Sequence, residues 1–253
     1  MVQVQQPNLQ RFLGRLTSRS ILSEREQREI LDLPAHAVHT RANEDFVRLG
    51  EQVDHASFVV EGLVGRFDQN ANGGRQITAL HIAGDIPDLF SVVQPTATSA
   101  LQALSSATVL RIPHEAIRSI AARWPAIAEA LWRDCMVDSM ILAQCVVNVG
   151  RRDARSRIAH LLCEMACRYK VDRTSAPVMF DLPMTQTHLA DATGLTPVHV
   201  NRVLRALRED GVEIRHRTVS ISDWPKLVEI GDFDPGYLQI DTRPERITLR
   251  SAT

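Results

Sequence analysis

Cysteine is missing from the first 134 residues of this 253-residue chain, and the four that follow, Cys135, Cys145, Cys163 and Cys167, form no CxxC pair. That excludes an N-terminal cysteine-ligated iron–sulfur cluster and a disulfide framework. Cys163 and Cys167 lie four apart on an expected helix. Partners at the usual zinc spacing are lacking, so they read as small buried apolar residues rather than metal ligands. Long apolar runs are also missing. No stretch reaches the roughly 18 residues a transmembrane helix needs, and the N-terminus has no charged head followed by an apolar segment, so no membrane association and a cytoplasmic location are expected. Net charge is close to zero, at −1, so no broad basic field announces a nucleic acid. Nucleophile elbow, P-loop, HExxH and paired-carboxylate patterns are absent, which leaves an enzyme reading without residues and gives no cofactor.

What is present is an ordinary globular composition, 44% hydrophobic, long enough for about two domains. Residues 8–32 carry apolar positions at helical spacing and predict two short helices, the second opening after Ser23 with Glu26 three residues on, a capping-box pattern. Residues 37–112 then break into short apolar stretches separated by turn signals, the pattern of an antiparallel sandwich or barrel. Asn72-Gly73 is its clearest hairpin tip. Pro125 opens a helix of about 25 residues, roughly 37 Å long, with Leu131, Cys135, Ile141, Leu142 and Cys145 on one apolar stripe and Trp132, Met136 and Met140 on a second. A helix apolar on two faces needs two partners: its own domain and a second copy, or one chain burying both. Gly150 is expected to end it, and with it the first domain.

Residues 184–207 carry the function. A helix-turn-helix needs a small residue at the helix crossing (Ala190), a residue tolerating positive φ in the turn (Gly194), and inward apolar positions (Leu189, Leu195, Val200, Val203). Thr185 and Thr196 are suited to cap the two helices, and Pro197 fits a first helical position. Thr193 is more polar than its slot usually holds. A structural helical hairpin would share part of this pattern, but the strand signals at residues 178–182, 212–214 and 219–221 add a wing with a basic tip. The outer face of the second helix holds Val198, His199, Asn201, Arg202 and Arg205. Arg202 is placed to bond guanine O6 and N7, and Val198 can touch a thymine methyl. Gln186, Thr187 and Arg217 read as backbone contacts, with Thr196 and Pro197 at the helix start. The competing reading is a ligand-binding signalling module whose helix-turn-helix contacts protein.

The order of parts resembles the Crp/Fnr family of bacterial transcription regulators. The resemblance rests on Gly50-Glu51, residues 56–64, Gly84-Asp85, the helix from Pro125, residues 150–159 and the winged helix. It implies an α+β architecture: an N-terminal antiparallel β-roll, cupin-like, over residues 1–124; a dimerisation helix over 125–149; and a C-terminal winged helix-turn-helix over 150–253. It also implies a homodimer on a palindromic double-stranded DNA operator, contact with RNA polymerase, and an effector pocket. Members that bind cyclic AMP use a Glu and an Arg in that pocket. Here Asp88 stands near the Glu and Thr98 near the Arg, with Leu89 and Ser99 beside them, so an unidentified small-molecule effector other than a cyclic nucleotide is expected. Histidines of the sensor half (His39, His55, His81) carry no mark of a haem ligand.

Overall fold

A computed structural model of the chain describes residues 9–240 and 243–244. It opens on two amphipathic helices, α1 (Gln10–Thr17) and α2 (Glu24–Leu31). The expected cap is formed: the Ser23 hydroxyl accepts from the Glu26 backbone, and the Ser23 N–H donates to the Glu26 carboxylate at 2.7 Å. Strands β1 (His36–Thr40), β2 (Asp45–Val47), β3 (His55–Glu61), β4 (Val64–Gln69), β5 (Arg75–His81), β6 (Ala100–Ala103) and β7 (Ala107–Pro113) follow. They form two antiparallel sheets in the orders β1-β7-β3 and β2-β6-β4-β5. Val59 of one sheet and Val47, Val64 and Leu101 of the other share one buried cluster, which makes the pair a roll. The β4–β5 hairpin turns where expected, although only Gly73 of its tip takes positive φ. Strand β6 has no counterpart among the sequence expectations. Its four residues, ALQA, carry neither β-branching nor alternation, and burial of all four comes from the sheet around them.

Helix α3 (His114–Arg123) leads through an extended Trp124 into α4 (Pro125–Arg151), which carries Pro125 in its first turn. At 27 residues α4 is about 40 Å long. It does not stop at Gly150, as the sequence suggested. It runs on until Arg152 turns extended, because Asp153 caps the next helix by accepting from Ser156 N–H at 2.9 Å.

That helix, α5 (Ala154–Arg168), is buried on nearly all sides and is the hub of the C-terminal half. Around it sit β8 (Val178–Asp181), α6 (Gln186–Thr193), α7 (Pro197–Glu209), β9 (Val212–Arg215), β10 (Thr218–Ile221) and α8 (Trp224–Gly231), with the small sheet ordered β8-β10-β9. The two halves are not separate bodies. Leu63, Ile77 and Leu80 of the roll belong to one apolar core with Leu162, Leu189 and Val203.

A buried ion network seals the same junction. Arg15 on α1 pairs with Asp85 after β5 and with Asp134 on α4 at 2.5 Å; Arg19 reaches Asp134 at 3.2 Å, and Arg168 on α5 reaches Asp85 at 2.7 Å. Removing one member would strand the others in a poorly solvated site, a loss of about 3–5 kcal/mol for a typical buried pair. Flanking arginines hold the Asp85 carboxyl down to about 2 despite its burial.

Helices α5 and α8 approach too closely for a side chain between them. A Cβ on Gly231 would stand 2.8 Å from the His160 backbone nitrogen, and the Gly231 carbonyl is 3.2 Å from His160 Nδ1. Gly231→Ala is therefore expected to lower stability by about 1–3 kcal/mol, the usual cost of overpacking. Urea unfolding measures it; an unchanged midpoint would mean the two helices separate without loss.

Candidate nucleic-acid interface

The helix-turn-helix is built as its sequence pattern requires. Thr185 caps α6, its hydroxyl accepting from His188 N–H at 3.1 Å, and Thr196 caps α7 by accepting from His199 N–H at 3.2 Å. Between them Gly194 takes φ +65°, a conformation that costs glycine little. Ala190 is buried at the crossing, and its carbonyl receives the Leu195 N–H at 3.0 Å. The polar Thr193 is accommodated without an orphan: fully buried, its hydroxyl donates to the Leu189 carbonyl at 2.6 Å.

Val200, Val203 and Leu207 of α7 point inward. The opposite face is open: Thr196, Pro197, Val198, Asn201, Arg202 and Arg205 are exposed, and His199 is half-buried. Val198 is 81% exposed, a value no packing role explains. Neither Arg202 nor Arg205 makes an ion pair among the described residues, whereas Arg208 and Arg215 lean toward Glu213. Gln186 and Thr187 at the start of α6 are exposed beside this face. The side-chain amides of Gln186 and Asn201 exchange hydrogen bonds at 2.7 and 2.6 Å, so Asn201 is tethered rather than free. Arg217 stands at the wing tip, where His216 (φ +50°) and Arg217 (φ +69°) form a two-residue turn with both central residues left-handed.

The inward face of α6 rests on the roll of the same chain. His188 Nδ1 accepts from the Thr185 N–H, which leaves the proton on Nε2 to donate to Asn43 Oδ1 at 3.0 Å. Gln76 donates to the Ala192 carbonyl at 3.3 Å, and Arg75 lies 3.7 Å from Asp191. The sequence reading missed this seat. Its one signal was a histidine at the third position of α6, where a capping box usually has Glu or Gln.

The expected effector residues are not brought together. Asp88 is buried with its carboxylate turned onto Ser57, accepting from the backbone N–H at 2.7 Å and the hydroxyl at 2.9 Å. Burial raises its pKa, and those bonds pull the other way. Thr98 is exposed, and Ser99 donates to Asp68 at 3.1 Å. Leu89 alone of the four lines a principal cavity, a space of about 80 Å³ between the roll and α4. The cation lining that space is Arg15, already bound to Asp85 and Asp134; a second, which the sequence did not flag, stands behind Asp138. Arg66 is buried, 2.8 Å from Asp138 of α4, with a second bond to the Pro87 carbonyl at 3.0 Å.

The expected dimerisation stripe also needs correction. Leu131 and Ile141 point into their own chain, at 7% and 5% exposure, and Cys135 and Cys145 are half-buried, with burial pushing both thiols up to about 11. Of the five, Leu142 alone is exposed. Of the other stripe, Trp132 (72% exposed) and Met136 face outward while Met140 packs against the core; Val146, 62% exposed, and Val147 continue the outward apolar face.

Among the described residues no helix is long and apolar enough to cross a membrane, and no His, Cys, Asp and Glu cluster could hold a metal. His39 bonds Thr108, His55 bonds Asp54, and His81 is buried.

Fold and site define a winged-helix DNA-binding regulator joined to a β-roll sensor. Residues 156–230 match the Crp-like helix-turn-helix domain, and residues 37–123 match the cyclic nucleotide-binding domain. The chain is 27% identical over 212 residues to the transcriptional activator protein FnrL of Cereibacter sphaeroides, covering 79% of this chain and 82% of the relative. It is 22% identical over 188 residues to the fumarate and nitrate reduction regulatory protein of Vibrio cholerae, covering 74% and 75%. The structure of FixK2 from Bradyrhizobium japonicum is similar with TM-score 0.71 and 25% identity, covering 78% of this chain and 98% of that one. This chain belongs to the Crp/Fnr family of transcription regulators.

One titration follows from the roll. His81 is held neutral by burial, its pKa lowered to about 3, and at 3.9 Å its contact with Asp85 is too long for a hydrogen bond. The folded value lies below the unfolded one, so this contribution to stability is complete above pH ~6.5 and is lost as pH falls toward 3. His81→Gln should flatten the decline between pH 6 and 4, by at most about 1.4 kcal/mol per unit. Parallel urea titrations of both proteins check this, and equal slopes would refute it.

Proposed function

We propose that two copies of the chain bind a palindromic operator, each presenting α7, about residues 197–208, to one of two major grooves one DNA turn apart. The observation that carries this is the outward face of α7. Val198, Arg202 and Arg205 are exposed on a helix whose other side is anchored, and the two arginines are free of ion pairs among the described residues. Arg202 reads a guanine, Val198 touches a thymine methyl, and Arg205 and His199 complete the reading face. Gln186, Thr187 and the wing-tip Arg217 contact phosphates and fix register. A shallow groove lined by Gln186, Asn201, Arg205 and Arg208 separates this face from the wing. Arg202→Ala should weaken binding to the preferred duplex by roughly 1–3 kcal/mol and relax selectivity at one base pair. Gel-shift titrations against single-base variants measure both effects; unchanged affinity and selectivity would remove Arg202 from the reading face.

The second copy is brought in by α4. Trp132, Met136, Ser139, Ala143 and Val146 recur in alternating steps of four and three and are all exposed, the spacing of a two-helix seam. Trp132→Glu with Val146→Glu should give a folded monomer by sedimentation velocity, with operator affinity falling as the second subunit's contribution is lost. A variant that stays dimeric would place the seam elsewhere.

In this reading residues 1–124 sense, 125–149 pair the subunits and 150–253 bind DNA, with output through contact with RNA polymerase. The effector is not a cyclic nucleotide. The space between roll and α4 holds about 80 Å³, well short of the ~300 Å³ at which small-molecule pockets begin, and the cation lining it, Arg15, is already committed to Asp85 and Asp134. Titration calorimetry with cyclic AMP and cyclic GMP should record no saturable heat; micromolar binding of either would overturn this assignment.

A further inference from the structure

The largest cavity lies elsewhere among the principal ones, outside the roll. It measures about 560 Å³ and is walled by α1, the turn after β5, α4, the C-terminal end of α5 and the segment reaching Ile240. Its charged lining is one-sided: Arg11, Arg15, Arg19, Arg168 and Lys170 against the single carboxylate of Asp85. Asp134 lies just behind and binds both Arg15 and Arg19. Glu164 binds Arg168 at 3.2 Å; even with both of these carboxylates, cations outnumber anions. Burial first, then Arg15, hold the Arg19 pKa below the usual guanidinium value, whereas for Arg15 and Arg168 the same burial is outweighed by carboxylates, which raise theirs.

Three of these side chains are fixed by the fold. Arg15 and Arg168 are held by Asp85, and Arg19 donates to the Leu238 and Gln239 carbonyls at 3.0 and 3.1 Å. Arg11 and Lys170 at the rim are exposed and make no ion pair or side-chain hydrogen bond among the described residues. Gly14 leaves the α1 wall bare, since a Cβ there would meet nothing within 4 Å. Opposite it, Val137, Ile141 and Tyr169 offer an apolar surface. Preset guanidiniums, exposed cations at the mouth and an apolar wall suit an organic molecule carrying a concentrated negative charge.

We propose that this cavity is a binding site for a small anion carrying a phosphate monoester or diphosphate, whose charge exceeds that of a cyclic phosphodiester. The phosphoryl group sits between the unpaired Arg11 and Lys170, with Arg19 behind them, and the rest of the ligand lies against Val137 and Ile141. The walls come from the sensor half and the DNA-binding half together, so occupancy bridges them. This goes beyond the DNA-binding reading and does not depend on it.

Inorganic pyrophosphate is the probe, titrated calorimetrically into the full-length protein at constant ionic strength. One variant combines Arg11→Ala with Lys170→Asn; both positions are exposed, and asparagine tolerates the positive φ of Lys170. A second combines Arg202→Ala with Arg205→Ala and removes the other cationic surface able to take the probe. Saturable one-site binding, weakened about tenfold or more in the first variant and unchanged in the second, is expected from the loss of two charge-assisted contacts. Absence of saturable binding to the wild-type protein would overturn the proposal. So would binding that survives in the first variant, or is lost only in the second, which places the anion on the DNA-reading face.

Discussion

Helix α4 must satisfy two surfaces at once, and the rest of the molecule is arranged around that constraint. One side is committed to its own chain through Ile127, Leu131, Val137 and Ile141. The other leaves a large aromatic and several aliphatic side chains in water, at a cost of about 25 cal/mol per Å² of apolar surface exposed. A lone subunit gains nothing from that second face. In the proposed pair that face becomes the seam, and the seam would hold the DNA-binding halves at a fixed separation.

The polar residues on the inner side of α4 explain how so long a helix stays seated. Asp134 and Asp138 stand at positions where a purely apolar stripe would continue. Each is matched, Asp134 by Arg15 and Arg19 from α1 and Asp138 by Arg66 from the roll. Such pairs are weak sources of net stability, but they penalise any register that leaves a charge alone. Asp85 extends the logic to the C-terminal half by binding Arg168 of α5. The seat of α6 on the β4–β5 hairpin is set by the same core, so the outward direction of α7 is fixed relative to the roll.

How much of this was legible in the sequence depends on whether the signal was local. The caps Thr185 and Thr196, Pro197 in the first turn of α7, Gly194 in the turn and the Ser23–Glu26 box each depend on residues within four positions, and all formed as expected. The two faces of α4 were distinguishable only as two stripes. Deciding which faces inward needs partners more than a hundred residues away, such as Arg15 for Asp134, and here the choice of Leu131 and Ile141 for the subunit interface went the wrong way. Asp88 illustrates the same limit: its neighbours in sequence suggest a pocket, while its actual partner is Ser57, 31 positions earlier. The end of α4 was misjudged because glycine permits a stop without compelling one. The competing cap at Asp153 decided it.

The central claim is that paired copies of α7 read two successive major grooves. Selection of bound fragments from genomic DNA, followed by hydroxyl-radical footprinting on the enriched sequence, tests it directly. The account predicts an inverted repeat with two protected patches centred about 34 Å apart on one face of the duplex. No enriched repeat, or protection confined to a single groove at full affinity, would contradict it.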